Sequence, residues 1–267
     1  MYKAINWCTL LCSVSLAAFA SLAAADEADE PSPQWPAIKQ QLFPDNPVIV
    51  EDDLLTLTTP VRAADAAIVP LSLRANIDQH GDVYIKKVYL VIDANPAPVA
   101  GTFSLSRING SVGLSTRVRV NAYSHVRAIA ETSDGKLHMT TNFVKASGGC
   151  SAPAGTNDEL AQKHRGEMKL RQRLVDDAAE LQLLISHPNY SGLQIDQLTR
   201  YWIPPDYVND VQLWLNDQPV LAFTGGISIS ENPSFSFFVQ AGQKGTLRAI
   251  VRDSEDREYR HEWPVEL

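Results

Sequence analysis

Cys150 is the residue whose type and surroundings point most directly to chemistry. Gly148 and Gly149 precede it and Ser151-Ala152-Pro153-Ala154-Gly155 follows, so no bulky side chain lies within three residues of the thiol. A cysteine that packs as a small hydrophobe normally sits among apolar neighbours. Glycines give the backbone freedom and let a partner's pocket close around a sulfur atom. The local sequence therefore predicts a mobile loop with its thiol in water and an ordinary pKa of about 8.5, at which a minority is thiolate near neutrality. On this reading Cys150 is a covalent attachment point and Gly148 and Gly149 are its flexible arm. Mild oxidation should then join two copies through a Cys150–Cys150 bond. The bland alternative is a linker with an incidental thiol, which would be an oxidation hazard outside the cytoplasm. A hydrolase nucleophile would need a rigid position, an oxyanion hole and a paired histidine. A Gly-Gly loop offers none of these, so no catalytic residue is assigned.

Other candidate groups are weaker. His80, His125, His138, His164, His187 and His261 are scattered without metal-ligand spacing, and neither a metal nor a cofactor is expected. Tyr201, Trp202 and Tyr207 flank Pro204-Pro205, where burial beside a turn is the commoner arrangement and a docking patch the alternative. Arg165, Lys169, Arg171 and Arg173 could steer an anionic group on Cys150 or simply form the solvated face of a strand. No phosphate-binding glycine loop and no Ser-His-Asp order is present.

These groups are set in a chain of 267 residues. It opens with one positive charge at Lys3, runs uncharged from Ala4 to Ala25, and turns acidic at Asp26, Glu27, Asp29 and Glu30. That layout, ending in Ala23-Ala24-Ala25, predicts a secretory signal peptide over 1–25, cleaved after Ala25, and a periplasmic location. Cleavage removes Cys8 and Cys12, leaving Cys150 as the one remaining thiol of three. It also removes one of 23 basic residues and none of 31 acids, taking the formal charge from −8 to −9. A surface of that sign repels nucleic acid and anionic lipid, so neither nucleic acid nor membrane is an expected partner of the mature chain.

Beyond a short helix expected over 33–43, with Trp35, Ile38 and Leu42 on one face, the pattern becomes short strands. Apolar runs and alternation predict strands over 54–60, 68–77, 83–93, 101–106, 115–123, 125–131 and 137–145. The texture then becomes small and non-periodic, and Thr156 with Glu159 reads as the capping box of a brief helix over 157–164. Strands resume from Met168 and continue over 181–186, 208–216, 220–224, 234–240, 246–253 and 257–263. The expected fold is all-β. Two immunoglobulin-like antiparallel β-sandwich domains, 26–146 and 166–267, are joined by a Gly-rich cysteine loop and short helix over 147–165.

Particular stretches add a family resemblance. The first half resembles SoxY in Ile68-Val69-Pro70-Leu71-Ser72-Leu73, Asp93-Ala94-Asn95-Pro96-Ala97-Pro98, Ser115-Thr116-Arg117-Val118-Arg119-Val120 and Val144-Lys145 leading into Gly148-Gly149-Cys150. The second resembles SoxZ in His187-Pro188, Gly192-Leu193, Ile203-Pro204, Val220-Leu221 and 229–237, Ile-Ser-Glu-Asn-Pro-Ser-Phe-Ser-Phe. The resemblance implies a periplasmic carrier of thiosulfate-oxidation type, not itself an enzyme, that holds a sulfur-containing intermediate on Cys150 and presents it to partner enzymes. Fused chains of this kind also look like the SoxYZ-like carriers that accompany quinoprotein (PQQ-dependent) alcohol dehydrogenases, which would supply a different cargo and different partner enzymes. A non-covalent two-sandwich binding or scaffold protein is the third reading. In SoxY the arm ends the chain, whereas here 117 residues follow Cys150, so the arm is a loop tethered at both ends.

Overall fold

The computed structural model describes residues 31–50, 53–153, 158–175 and 177–267. The expected signal peptide, the acidic residues after it, and Thr156 of the expected capping box lie outside the described residues. Of the linker helix, α2 (Asp158–Lys163) is described. The first half comprises α1 (Trp35–Leu42), β1 (Val48–Val50), β2 (Leu55–Thr58), β3 (Val69–Ala75), β4 (Ile85–Ile92), β5 (Val99–Leu105), β6 (Val112–Val118), β7 (Ser124–Thr132) and β8 (Leu137–Val144). The second supplies β9 (Met168–Val175), β10 (Ala178–Ile185), β11 (Val208–Leu215), β12 (Gln218–Gly225), β13 (Ser234–Gln240), β14 (Lys244–Asp253) and β15 (Glu258–Glu266).

Alternation is what makes these runs strands. In β10, Ala179, Leu181, Leu183 and Ile185 are buried, while Ala178, Glu180, Gln182 and Leu184 between them are partly exposed. The same two-residue period in β3 and β14 sends one face of each strand inward. At the chain's start, Pro36 presets the first turn of α1. Ile38 and Phe43 then pack on the outside of the sheet against Val91, Ile129, Leu137 and Met139. Among the described residues, β1 is the one strand that the sequence pattern did not predict. It is three residues long and pairs with β8 in parallel, through Val48–Leu137 and Val50–Met139, so the sandwich is not purely antiparallel. Parallel pairing needs a long crossover, and here the chain from β2 to β7 supplies it.

The two halves are not merely packed together. One sheet has nine strands in the order β1-β8-β7-β4-β5-β12-β11-β14-β15, and the other six, β2-β3-β6-β13-β10-β9. Each sheet crosses from the first half to the second by an antiparallel pair. β5 meets β12 through Leu105–Leu221, Phe103–Phe223 and Gly101–Gly225, and β6 meets β13 through Ser115–Ser236 and Leu114–Phe237. Strands that would be the exposed edges of separate sandwiches therefore satisfy each other's backbone groups.

Beneath the seam Phe103, Phe223 and Phe235 form an aromatic cluster, with Phe223 at 4.9 Å from Phe103 and 4.6 Å from Phe235 between ring centroids. Gly101 and Gly225 make room for the Phe223 ring: a Cβ on either would lie 2.3 or 2.1 Å from a ring carbon. One apolar core consequently runs through both halves. Phe223→Ala should lower the unfolding free energy by about 3–5 kcal/mol. Urea unfolding followed by circular dichroism should remain a single transition for both halves. Two separated transitions would show that the seam does not couple them.

Candidate functional site

The chain leaves β8 at Val144 and runs along the segment after β2, where Lys145 donates its backbone N–H to Val61 O at 2.8 Å. It then turns onto the stretch that follows β6. Gly148 N–H donates to Asn121 O at 2.8 Å, Gly149 N–H to Val120 O at 3.0 Å, and Ser151 N–H closes the turn on Gly148 O at 3.2 Å. Gly148 has φ +79°, a left-handed conformation that glycine adopts without a steric cost. Gly149 is pressed against backbone, and a Cβ there would lie 2.0 Å from Ala66 O and 2.7 Å from Val120 O.

The second half closes over the same loop. Ser191 Oγ donates to Cys150 O, and Gln194 Nε2 donates to Ala152 O at 2.9 Å. Gln194 Oε1 in turn accepts the Ser191 N–H at 3.1 Å, which ties the two clamping residues together. Their segment is anchored at its base by reciprocal backbone bonds between Tyr190 and Asp206. Its tip is bare: Leu198, Tyr201 and Trp202 are all exposed. Tyr201 and Trp202 are thus not the buried turn aromatics that were expected, because the hairpin lifts them off the body while its base does the holding.

The expectation of an exposed thiol on a free arm is overturned. Cys150 has 0% of its surface exposed, and Gly148 and Gly149 serve close docking of backbone on backbone rather than freedom. The lack of a Cβ permits both, and local sequence does not distinguish them. With both loops closed, two copies cannot meet through Cys150, so the proposed dimer also requires opening. Burial pushes the thiol up to about 11, and the Arg119 guanidinium acts in the opposite direction. In this conformation the sulfur is protonated at neutral pH and is not a nucleophile.

The four basic residues considered for steering disperse. Arg165 is bound into an ion network with Asp206 at 2.6 Å, and Arg173 pairs with Glu180. Lys169 and Arg171 line open clefts on the face of the six-stranded sheet, the larger being about 710 Å³ and also lined by Arg117 but not by Cys150. Among the described residues, Arg119 is the charged group that acts on the thiol.

A second constellation escaped the sequence reading. His187, Asp206 and Asp253 bring ligand-type atoms within 4.8 Å of one another, the first two from opposite ends of the segment between β10 and β11 and the third from the end of β14, with no shared spacing. Two guanidiniums already occupy the carboxylates: Arg165 and Arg257 both bind Asp206, and Arg257 Nε donates to Asp253 Oδ2 at 2.8 Å. Burial is the main force holding His187 below its usual pKa. Its Nδ1 accepts the Asn189 N–H at 3.0 Å, and its Nε2 lies 3.1 Å from Arg165 Nη1 and 3.4 Å from Asp253 Oδ2. The donor set is that of a buried ion network, which braces the segment from His187 to Asp206 that clamps the cysteine loop.

Comparison with known proteins adds sequence-level findings. Residues 39–150 match the family model of sulfur oxidation protein SoxY, and residues 168–264 that of sulphur oxidation protein SoxZ. No curated protein matches the sequence. Among solved structures, the sulfur carrier protein SoxY from Chlorobium limicola f thiosulfatophilum is similar at 18% identity over 42% of this chain and 91% of that one, with a TM-score of 0.34. The fibronectin(III)-like modules of Clostridium thermocellum CbhA are similar at 9% identity over 80% and 94%, with a TM-score of 0.26.

Labelling tests the closed loop. At pH 8 a free thiol is about a quarter ionised and one titrating near 11 about a thousandth, so Cys150 should react with a maleimide at least about a hundredfold more slowly than in denatured protein. Gly149→Ala should dislodge the loop and raise that rate at least about tenfold, with the β-sheet circular dichroism retained. Because the folded-state value is raised, the protonated thiol stabilises the fold below the ordinary value of about 8.5 to 9. That contribution should be lost as pH rises from about 9 to about 11. Equal labelling of native and unfolded protein would show that the thiol is open.

Proposed function

The chain belongs to the SoxY and SoxZ families of sulfur oxidation proteins, one in each half, and on that premise we propose that it is a periplasmic carrier that holds a sulfur-containing intermediate on Cys150 and presents it to the enzymes of sulfur oxidation. The observation that carries the reading is the manner in which the thiol is held. Cys150 sits where the two halves meet, on a turn fastened by few hydrogen bonds: Gly148 and Gly149 to the first half, and Cys150 and Ala152 to the second. Each such bond contributes about 0.5–1.5 kcal/mol net, so lifting the loop costs a few kcal/mol, within what a docking partner can offset.

The closed loop then protects the thiol in an oxidising compartment, and opening turns it into an attachment point. The tether at both ends limits that motion to a hinged flap, so a partner must reach toward the loop. The exposed Leu198, Tyr201 and Trp202 tip lies on the same hairpin as the clamping Ser191 and Gln194, which gives a docking protein a direct mechanical route to the latch. In this role the chain bears the reacting group and the partner enzymes perform the chemistry.

Intact-mass measurement on protein isolated from its native periplasm tests the reading. The wild type should begin at Asp26 and carry a reductant-sensitive mass addition that Cys150→Ala lacks. Cells carrying that variant should lose sulfur oxidation. Alanine is preferred to serine, because a buried hydroxyl without a partner costs about 1–3 kcal/mol. An unmodified wild type together with an active alanine variant would overturn the carrier role.

A further inference from the structure

Two arginines of the first half are deeply buried, and they are satisfied in opposite ways. Arg127 forms a two-pronged pair with Asp93, with contacts of 2.8 to 3.0 Å, and stacks on Trp35 at 4.3 Å. Arg119 is 2% exposed, and among the described residues its side chain makes one hydrogen bond, from Nη1 to Ile229 O at 2.6 Å. Its buried Nε has no hydrogen-bond partner among them. Among the described residues no carboxylate lies within ion-pair distance of it, and Asp65 and Glu231 act on it only from further away. A buried guanidinium without a counter-charge is expensive, and proteins normally pair it or avoid it.

The backbone around Arg119 is fixed more firmly than a solvent-seeking cation requires. Arg119 N–H donates to Ser228 O at 2.7 Å, and its carbonyl accepts Asn95 Nδ2 at 2.8 Å. Asn95 also bonds Ser228 Oγ at 2.9 Å and accepts the Asn121 N–H at 2.8 Å. The next residue, Val120, accepts the Gly149 N–H, so the residue before Cys150 is docked on the residue after Arg119. When Cys150 is ionised it is the leading source of favourable charge on Arg119, ahead of Glu231 and Asp65.

We propose that Arg119 is an anion-binding residue for Cys150: its guanidinium, buried without a carboxylate partner among the described residues, is the preset counter-charge for the thiolate and for negatively charged groups that approach or become attached to the sulfur. The inference rests on the carrier reading and assigns Arg119 as the residue that favours anionic over neutral or cationic groups at the sulfur. It also accounts for how a carrier with a formal charge of −8 over the whole chain accepts an anion at one point. Local charge of one sign typically changes encounter rates by an order of magnitude or more.

The test uses two methanethiosulfonate reagents of similar size, one ending in a sulfonate and one in a trimethylammonium group. In each case the Cys150 thiol gives its proton to solvent and the thiolate attacks the sulfenyl sulfur. A disulfide forms and methanesulfinate leaves, so no external oxidant is needed. The anionic-to-cationic rate ratio, normalised to that of urea-unfolded protein, should be about tenfold in the native wild type. It should fall to about one in Arg119→Gln and be largely restored in Arg119→Lys. A normalised ratio of one or less in the wild type overturns the proposal by itself, even if the glutamine variant does not fold. An undiminished ratio in a folded Arg119→Gln protein also overturns it. The outcomes separate from those of the carrier test. A natively modified Cys150 with no charge preference removes only this inference, whereas an unmodified native protein removes the carrier reading whatever the ratio.

Discussion

Backbone pairing across the seam is the constraint on which everything else in this molecule depends. Two sandwiches joined only by a linker would each present open strand edges and a surface to be covered. Here β5 bonds to β12 and β6 to β13, so both sheets continue from one half into the other. Phe223 fills the space under that seam between two glycines. The junction of the halves is thereby rigid, and a rigid junction is what lets a loop from one half be clamped by side chains from the other. Without the seam, Ser191 and Gln194 would have no fixed relation to Cys150.

The loop itself is balanced rather than buried in depth. Its neighbours are backbone carbonyls and short polar side chains, and its fastening is a handful of hydrogen bonds. Such a segment belongs to the low end of a protein's local stabilities, while the aromatic core beneath the seam belongs to the high end. On the proposed carrier role, that difference would let the thiol be sheltered in one state and presented in another without unfolding the sandwich. Burial also controls reactivity: the same contacts that hide Cys150 raise its pKa, so concealment and chemical silence arise from one cause.

Buried charge is handled in three ways in this chain. Arg127 and Asp93 neutralise each other as a closed pair. Arg165, Arg257, Asp206 and Asp253 share charge in a network that packs against His187 and stiffens the clamping segment. Hydrogen bonds from Arg257 and Tyr259 overcome the effect of burial on Asp253 and hold its carboxyl below the usual range. Arg119 alone among these basic groups is left without a carboxylate partner among the described residues. The first two arrangements are complete in the resting protein, and in the proposed anion-binding role the third would be completed by ionisation or modification of Cys150.

Much of this was written in the local pattern. Strands at 69–75, 85–92, 208–215 and 234–240 follow from apolar runs and two-residue alternation, and the helix at 35–42 from one apolar face. Cys150 was identifiable because no neighbouring side chain explains a cysteine there, and the family resemblance followed from motifs spread along both halves. What the sequence could not supply was everything that depends on contacts between distant positions. Glycines at 148 and 149 are compatible with either a free arm or a close-docked turn, and only the positions of Ala66, Val120 and Ser191 decide for the turn. The shared sheets rest on pairings such as Phe103 with Phe223, more than a hundred residues apart, and short edge strands carry no mark of their partner. His187, Asp206 and Asp253 lack any spacing that would join them on paper. Periodicity and residue type are local properties, so they determined the strands and the thiol. Burial and charge pairing are properties of the assembled volume, and tertiary structure alone decided whether that thiol stands in water or under a latch.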